Sequence, residues 1–450
     1  MQKRDSFSGK IGFILAAAGS AVGLGNLWRF PYLVARYGGG IFLLVYLVLV
    51  ITFGYALMTL EIGIGRKTGL SPVGAFRAYG KKHAWAGWLT VLITLIITGY
   101  YAVIGGWVLK YIVVYIADQG AAAAADGYFN SFISRPAEPL IYALVFSLAG
   151  LAVLLGGVKG GIEKASKVLM PLLVILSVFI AVYSATLPGA IEGIKFILIP
   201  DFSNFGFETV IGAVGQMFYS MSLAMGIMLT FGSYLDKKTN IEASVSNVEI
   251  FDTGIAILAA FMIIPAVFVF SSDTAAQLDQ GAGLMFVTLP KVFDYIPLGR
   301  FVGAAFFVLV AFAALTSFIS VDEVIIATLS DIFHLKRVPA VLLTLGVSCL
   351  LSVPASLGFG AWDFVKIMGF SILDFMDFIS NSLLLPLSGL GMCIIFGWVV
   401  GLKPIVEEIE LSSKFRRRKI FEVVVKYIAP ILLGAIVVTN VLQIMGIVSI

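Results

Sequence analysis

Eleven long runs of apolar residues divide the chain, separated by shorter segments that hold most of the charged residues. A helix needs about 20 predominantly apolar residues to cross the hydrocarbon core of a bilayer. The pattern therefore predicts an all-α polytopic membrane protein with eleven transmembrane helices. The predicted spans lie near residues 11–37, 41–65, 86–117, 139–157, 164–186, 208–234, 244–270, 300–329, 338–353, 374–400 and 421–449.

The composition supports this prediction and excludes a soluble enzyme. Hydrophobic residues make up 60% of the 450 residues, and only 12% are Asp, Glu, Lys or Arg. An average soluble domain has about 25% charged residues. Too few polar residues remain here to cover a surface that faces water, so the lipid bilayer is the expected surroundings.

The distribution of positive charge predicts the orientation. Lysine and arginine are concentrated in every second segment between the predicted spans, for example at Lys81-Lys82, at Lys237-Lys238 and from Arg416 to Lys419. Such segments favour the cytoplasmic side. We expect a protein of the cytoplasmic membrane with its N-terminus inside and its C-terminus outside. Topology also explains the net charge of +4, so no nucleic-acid partner is expected.

Residues for catalysis or for binding transition metals are scarce. The sequence has two cysteines, Cys349 and Cys393, and two histidines, His83 and His334, and neither histidine falls inside a predicted span. A membrane-embedded enzyme needs a nucleophile with a base, or a set of metal ligands, within the membrane. We expect neither enzymatic activity nor an organic cofactor.

The first predicted span departs from a regular helix between Gly19 and Pro31. Three glycines, an asparagine, an arginine and a proline fall near its expected midpoint. Glycine lets the backbone leave helical geometry, and the freed backbone groups must then be buried in protein or line a cavity. A packing seam around Gly19 and Gly23 is the simpler interpretation, but packing alone does not require Asn26 and Arg29.

The sixth predicted span has a similar stretch between Gly215 and Gly226, rich in small and hydroxyl residues. Interrupted helices at the first and sixth positions are typical of transporters built from inverted repeats, with a binding site near the midplane. We predict one transmembrane domain of two five-helix repeats, residues 1–190 and 191–400, followed by an eleventh helix within residues 401–450.

Ionisable residues inside predicted spans cost roughly 2.5–3.5 kcal/mol each on insertion scales, and they usually have a function or a partner. This group comprises Arg29, Glu61, Asp252, Asp322, Glu323 and Asp377. For Asp322 and Glu323, an ion pair in the helix interior is favoured over a proton pathway.

The string from Gly19 to Pro31 closely resembles the sodium-site signature of the neurotransmitter:sodium symporter family. The matching motifs continue along the chain, at Gly38-Gly39-Gly40, Tyr100-Tyr101, Gly215-Gln216 with Ser220, Ala313 to Ser317, and Leu373 to Asp377. The resemblance extends from about Arg4 to the eleventh predicted span. It is strongest to the eleven-helix bacterial branch, which includes transporters of tyrosine and of several hydrophobic amino acids.

This resemblance implies a sodium-coupled symporter of hydrophobic and aromatic L-amino acids that works by alternating access. It also implies two sodium sites built from oxygen ligands, which suit a hard cation. The first site would use Ala21, Asn26, Ser220 and Asp252, completed by the carboxylate of the substrate. The second site would use Gly19, Val22, Ala313, Thr316 and Ser317.

The resemblance places the amino-acid substrate between the two broken helices. Its carboxylate would meet the backbone N–H groups near Leu24 and Gly25 and the hydroxyl of Tyr101. The apolar lining, with a flexible methionine, predicts a range of hydrophobic and aromatic side chains. The matching positions are Ala21, Gly23, Leu24, Gly25, Ile97, Tyr101, Tyr219, Ser220, Ser222, Met225, Ser317 and Val321.

Two ion pairs would act as gates on the same basis. Arg29 with Asp377 would close the outer pathway, and Arg4 with Asp331 would close the inner one. Exposed ion pairs contribute little stability, so such pairs are able to break and re-form during a transport cycle.

Chloride-dependent members of the family have a neutral residue where this sequence has Asp252. We expect the Asp252 carboxylate to supply the negative charge that chloride provides in those members, which makes transport chloride-independent. Tyr46, Gln216 and Ser220 would nevertheless fit a chloride pocket.

Two other functions remain open from the sequence. One is a sodium-independent or proton-coupled amino-acid exchanger on the same fold, against which Asn26 and the pair Thr316-Ser317 argue. The other is a sensor that binds an amino acid without transporting it. The preferred amino acid, the sodium stoichiometry and the oligomeric state are not specified by these motifs.

Overall fold

A computed structural model describes residues 6–270 and 282–444 of the chain. Within these ranges the chain is predominantly helical, and β structure is limited to two isolated bridges, Gly39 with Pro200 and Ile367 with Phe370. The prediction of an all-α protein is confirmed.

The arrangement of long helices is consistent with the eleven predicted spans. In the described ranges, nine helices are long and apolar enough to cross a membrane, and the pair Lys10–Ala21 and Gly25–Arg36, bent by 52°, adds a tenth crossing. The helices Phe207–Ser220 and Ile227–Gly232 occupy the place of the sixth predicted span. We number these segments spans 1 to 11 in chain order. Spans 2 to 5 are Gly40–Thr68, Lys81–Ile116, Glu138–Leu155 and Val158–Thr186, and spans 7 to 11 are Ile241–Phe270, Gly299–Ile332, Arg337–Leu357, Ile372–Val399 and Arg418–Leu442.

Shorter helices connect the spans. On the predicted cytoplasmic side these are Pro72–Ala78 and Lys403–Glu410, and on the predicted outer side Gly120–Ala124, Tyr128–Ile133, Ala190–Leu198 and Leu289–Tyr295. The outer helices are joined by Lys291, whose ammonium lies 2.6 Å from Asp126 Oδ1. The hydrogen bond from Lys291 holds the pKa of the Asp126 carboxyl below its ordinary value.

Spans 3 and 8 form the centre of the bundle. In the most apolar part of span 3, 83% of the residues are buried, and 67% in span 8, whereas the corresponding share is 33% in spans 4, 5 and 11. The peripheral spans expose large apolar side chains such as Ile175 and Val182, as expected of surfaces that face lipid. Both broken spans pack against span 8, so the breaks lie beside the most buried part of the protein.

Spans 2 and 6 approach each other closely because both have glycine at the contact. A Cβ atom at Gly65 would lie 1.9 Å from the carbonyl oxygen of Leu229, and one at Gly232 would lie 2.6 Å from that of Ile62. These neighbours are backbone atoms, so rotation of a side chain does not relieve the overlap. The contact fixes the second half of span 6 against span 2.

We expect G65A to destabilise the protein by about 2–3 kcal/mol, because the two helices must separate to admit the methyl group. The matched control is G346A in span 9, where no heavy atom lies within 4 Å of the added Cβ. Alanine there is expected to be neutral or stabilising by up to about 1 kcal/mol. Thermal unfolding in detergent measures both, and equal unfolding temperatures for the two variants would contradict the close contact.

Candidate functional site

The first helix break lies between the two halves of span 1. Val22 is extended, with φ −73° and ψ 102°. Asn26 Oδ1 accepts a hydrogen bond of 3.1 Å from the backbone N–H of Gly23, and Gln216 Nε2 donates one of 2.9 Å to the carbonyl oxygen of Gly25. Side chains of spans 1 and 6 thus satisfy backbone groups that the break frees.

The second break, residues 221–226, separates the two halves of span 6. Ser222 and Ala224 have positive φ values of 52° and 60°, which non-glycine residues rarely adopt. Glu61 Oε1 of span 2 accepts a hydrogen bond of 2.6 Å from the N–H of Ala224, and Ser388 Oγ of span 10 donates one of 2.8 Å to the Ala224 carbonyl oxygen. The sequence identified Glu61 only as an ionisable residue inside a predicted span. The structure shows that its carboxyl accepts a hydrogen bond from a backbone N–H group freed by the second break.

The two breaks face each other across a narrow cavity of about 30 Å³. All twelve residues that the family resemblance assigns to the substrate site line this cavity. Ser20 and Ile227 line it as well, and the sequence analysis missed both. Their positions beside the two breaks could have indicated them, since Ser20 precedes Ala21 at the first break and Ile227 directly follows the second.

The cavity has a polar end and an apolar end. At the polar end, the Tyr101 hydroxyl is in hydrogen-bonding reach of the backbone N–H of Leu24. A Cβ atom at Gly23 would lie 2.7 Å from Ser317 Oγ and 3.2 Å from the Tyr101 hydroxyl oxygen, so glycine keeps this end open to backbone groups. The apolar end is lined by Ile97, Met225, Ile227 and Val321.

The residues predicted for the first sodium site lie together beside the cavity. Asp252 Oδ1 accepts hydrogen bonds of 2.8 Å from Asn26 Nδ2 and from Ser220 Oγ, and Tyr46 lies 3.3 Å from Asp252 Oδ2. Ala21 lines the adjacent cavity wall. Asp252 is fully buried, and its partners are hydrogen-bond donors without positive charge. An ionised Asp252 carboxylate therefore has no positive partner among these residues, and a bound cation would neutralise it.

The residues predicted for the second sodium site meet where span 1 packs on span 8. Ser317 Oγ lies 3.1 Å from the Ser20 carbonyl oxygen and 3.3 Å from that of Val22. Thr316 Oγ1 donates to the Ala313 carbonyl oxygen at 3.0 Å. A Cβ atom at Gly19 would lie 3.3 Å from Thr316 Cβ, so Gly19 faces the same point.

The donor set of both clusters is made of carbonyl, hydroxyl and carboxylate oxygens. Among the described residues, no group of three or more His, Cys, Asp or Glu side chains forms a cluster that would hold a metal ion. Hard monovalent cations suit oxygen ligands of this kind better than transition metals do.

The structure describes three of the four residues predicted to form the two gates. Arg29 and Asp377 line one larger cavity of about 560 Å³, but in the described part of the chain no ion pair within 4.0 Å joins them. The Arg29 guanidinium instead lies over the Tyr219 ring, 5.7 Å from its centre, and Asp377 accepts a hydrogen bond of 2.7 Å from Asn381. This conformation therefore does not contain the closed outer pair.

At the inner gate, Asp331 Oδ2 accepts a hydrogen bond of 2.6 Å from the backbone N–H of Ser71. Its predicted partner, Arg4, lies outside the described residues. The inner ion pair therefore stays a prediction.

The expectation of a helix-interior ion pair for Asp322 and Glu323 needs correction. Glu323 does form an ion pair, but with Arg337 of span 9 at 2.7 Å, and it also accepts a hydrogen bond of 2.7 Å from Tyr234. Asp322 Oδ1 is hydrogen-bonded to the hydroxyl oxygen of Thr98 in span 3, at a distance of 2.5 Å. The two adjacent carboxyls point to different helices, so they do not share one cation.

Comparison with known proteins supports the family resemblance over nearly the whole chain. The family model described as the sodium:neurotransmitter symporter family matches residues 4–132 and 133–448. An uncharacterized sodium-dependent transporter of Haemophilus influenzae is 36% identical, and the alignment covers 98% of both chains. A sodium-dependent transporter of Methanocaldococcus jannaschii is 33% identical over 97% of this chain and 90% of its own.

A solved structure agrees with the fold as well. The crystal structure of MhsT in complex with L-phenylalanine has a TM-score of 0.88 with this structure at 38% identity, covering 97% of this chain and 100% of MhsT. These matches extend over the two helix breaks and the clusters around them. The chain therefore belongs to the sodium:neurotransmitter symporter family, whose members are multi-pass, sodium-dependent transporters and not enzymes.

Proposed function

We propose that this transporter is a sodium-coupled symporter of hydrophobic and aromatic L-amino acids. The observation that carries the proposal is the cavity between the two helix breaks, which has backbone groups and the Tyr101 hydroxyl at one end and apolar side chains at the other. An amino acid has the same division between a zwitterionic end and a side chain. The cavity of about 30 Å³ must widen to admit such a molecule, which requires the two breaks to move apart.

The polar end would bind the charged groups of the substrate. The N–H groups of Leu24 and Gly25 lie at the start of the second half of span 1, where a helix N-terminus favours a negative group. These groups and the Tyr101 hydroxyl would bind the carboxylate. Carbonyl oxygens of Ala21 and Tyr219, at the ends of the first helical halves, would bind the ammonium group.

The apolar end would select the side chain. Ile97, Met225, Ile227 and Val321 offer hydrocarbon surface, and methionine adapts to ligands of different shape. MhsT, which shares 38% identity with this chain, was crystallised with L-phenylalanine. Both points support substrates with large hydrophobic or aromatic side chains.

Sodium would be transported together with the amino acid through two sites. At the first, Asn26, Ser220 and Asp252 would hold the ion beside the substrate carboxylate, so that each favours the binding of the other. At the second, the ion would join span 1 to span 8 through Val22, Thr316 and the residues around them. Sodium binding would thereby hold the two halves of the site together.

The positions of the two breaks support the proposed repeat organisation of the chain. They occur in spans 1 and 6, which occupy equivalent places in two repeats of five helices, residues 1–190 and 191–400, with span 11 added in residues 401–450. The charge pattern supports a cytoplasmic N-terminus and an outer C-terminus in the cytoplasmic membrane.

In proteoliposomes, we expect an inward sodium gradient to drive accumulation of labelled leucine, tyrosine and tryptophan that choline does not support. T316V removes a hydroxyl from the second sodium site and should weaken sodium activation by roughly tenfold or more. The control is T328V on the same helix, whose buried hydroxyl only bonds back to Val324 at 2.8 Å.

The result of this uptake experiment distinguishes the proposed symporter from an exchanger and from a sensor. Equal uptake in sodium and choline would favour the exchanger. Sodium-dependent binding without uptake would favour the sensor.

Chloride is expected to be dispensable, because the Asp252 carboxylate already provides a fixed negative charge. Replacing chloride with gluconate should leave uptake by the wild-type protein nearly unchanged. D252N removes the charge, and its residual uptake should become dependent on external chloride, whereas D252E should resemble the wild type. A large loss of wild-type uptake in gluconate would show the idea to be wrong.

The apolar end of the cavity is tested by V321A. Removing two methyl groups from the wall should weaken leucine binding by at least about tenfold, since even one lost methylene contact is worth about 1–3 kcal/mol, while tryptophan should lose less because its larger ring fills the space. V324A is the matched control, since Val324 is buried in the same helix and does not line the cavity. Competition binding measures both, and an equal loss for the two amino acids would contradict this pocket assignment.

A further inference from the structure

Asp322 is a buried carboxyl that none of the proposed binding sites uses. It follows Val321 in span 8, and it is 2% exposed. It lies where span 8 meets Thr98 of span 3 and Ser348 of span 9. Because Ile97 and Val321 line the substrate cavity, Asp322 and Thr98 stand directly behind the cavity wall.

The described residues provide no positive partner for this carboxyl. Among them, no lysine, arginine or histidine nitrogen lies within 4.0 Å of it. The guanidinium of Arg337 is paired with the adjacent Glu323, a second carboxyl whose charge also acts on Asp322. The other titratable group facing Asp322 is the thiol of Cys349 in span 9, and span 3 presents only the Thr98 hydroxyl. An ionised carboxylate in such surroundings carries a large desolvation cost that nothing offsets.

The hydrogen bonds around Asp322 also bear on whether its carboxyl is protonated. Asp322 Oδ1 lies 2.5 Å from Thr98 Oγ1, Thr98 Oγ1 lies 3.1 Å from Ser348 Oγ, and Ser348 Oγ lies 3.2 Å from the Thr98 carbonyl oxygen. If all three oxygen–oxygen contacts are hydrogen bonds, they need three hydrogen atoms. The two hydroxyl groups supply two, and a carbonyl oxygen supplies none.

The third hydrogen is present only if the carboxyl is protonated. Asp322 then donates to Thr98, Thr98 donates to Ser348, and Ser348 donates to the Thr98 carbonyl oxygen. With an ionised Asp322, Thr98 donates to the carboxylate and Ser348 donates to Thr98, so the 3.2 Å contact of Ser348 with the Thr98 carbonyl oxygen has no hydrogen.

We propose that Asp322, with Thr98 and Ser348, forms a proton-binding site behind the substrate cavity, and that the bound proton stabilises the packing of spans 3, 8 and 9. Loss of the proton places an unpaired negative charge behind the wall formed by Ile97 and Val321. Proton binding and amino-acid binding are then linked, and each favours the other. This site is separate from both proposed sodium sites.

Infrared difference spectroscopy of the purified protein tests the site without any transport. At neutral pH, the spectrum of the wild type minus that of D322N should contain the carbonyl band of a protonated carboxyl group, which shifts in D₂O and disappears at alkaline pH. E323Q is the control, because Glu323 is ion-paired and its removal should take away no such band. Absence of the band from the wild-type difference spectrum would overturn the proposal.

A second variant keeps the test informative if D322N does not fold. T98V retains the carboxyl and removes its hydrogen-bond partner, so the band should move to the frequency of a free acid. An unmoved band would contradict the hydrogen-bonded chain.

The linkage to substrate rests on the proposed function and has its own measurement. At saturating sodium, the affinity of the wild type for labelled leucine should fall, by up to about tenfold per pH unit, above the pH at which Asp322 loses its proton. D322N, which resembles the neutral acid, should show no such fall. If D322N keeps the wild-type pH profile, the linkage is wrong; failure of leucine to bind at any pH would refute the proposed function and leave the infrared result valid.

Discussion

The structure depends on one constraint: within a bilayer, every backbone N–H and C=O group needs a partner inside the protein. Two helices are nevertheless interrupted at their centres. The cost is met by side chains from neighbouring helices, with Asn26 and Gln216 at the first break and Glu61 and Ser388 at the second. In the proposed function, the backbone groups that remain would bind the carboxylate and the ammonium group of the substrate.

The buried carboxyls differ in the partners that the fold gives them, and the partners indicate their roles. Glu61 accepts from a backbone N–H, and Glu323 is paired with an arginine, so both stabilise the structure. Asp252 is surrounded by three groups that are able to donate to a carboxylate, Asn26, Ser220 and Tyr46. These donors offset part of the desolvation cost of an ionised carboxylate, and in the proposed function a sodium ion would offset the rest. Asp322 has a single hydroxyl partner, so its surroundings favour the acid.

Much of this was predictable because the chemistry is concentrated in continuous motifs. Composition and the length of the apolar runs predicted the helical membrane fold. The twelve residues assigned to the substrate site from the family motifs all line the cavity. The sequence did not reveal partners from distant helices, such as the Ala224 N–H that Glu61 binds. It also suggested that span 9 ends before Pro354, whereas the helix continues to Leu357, since a proline is tolerated where neighbouring helices supply hydrogen bonds. The error at Asp322 has the same origin, because adjacency in sequence does not determine which helix each carboxyl faces.

The geometry also distinguishes which cation each buried aspartate would bind. A sodium ion needs several oxygen ligands, and the Asp252 cluster adjoins the cavity through Ser220 and the first helix break through Asn26. Around Asp322 the oxygens are already 2.5 to 3.2 Å apart, so a metal ion would have to force three packed helices apart. A proton needs no such space, because it lies on the line between two oxygens that are already in contact. The same fold therefore provides two buried aspartates in different surroundings: one beside a cavity, where we propose that sodium binds, and one within a packed seam, where we propose that a proton binds.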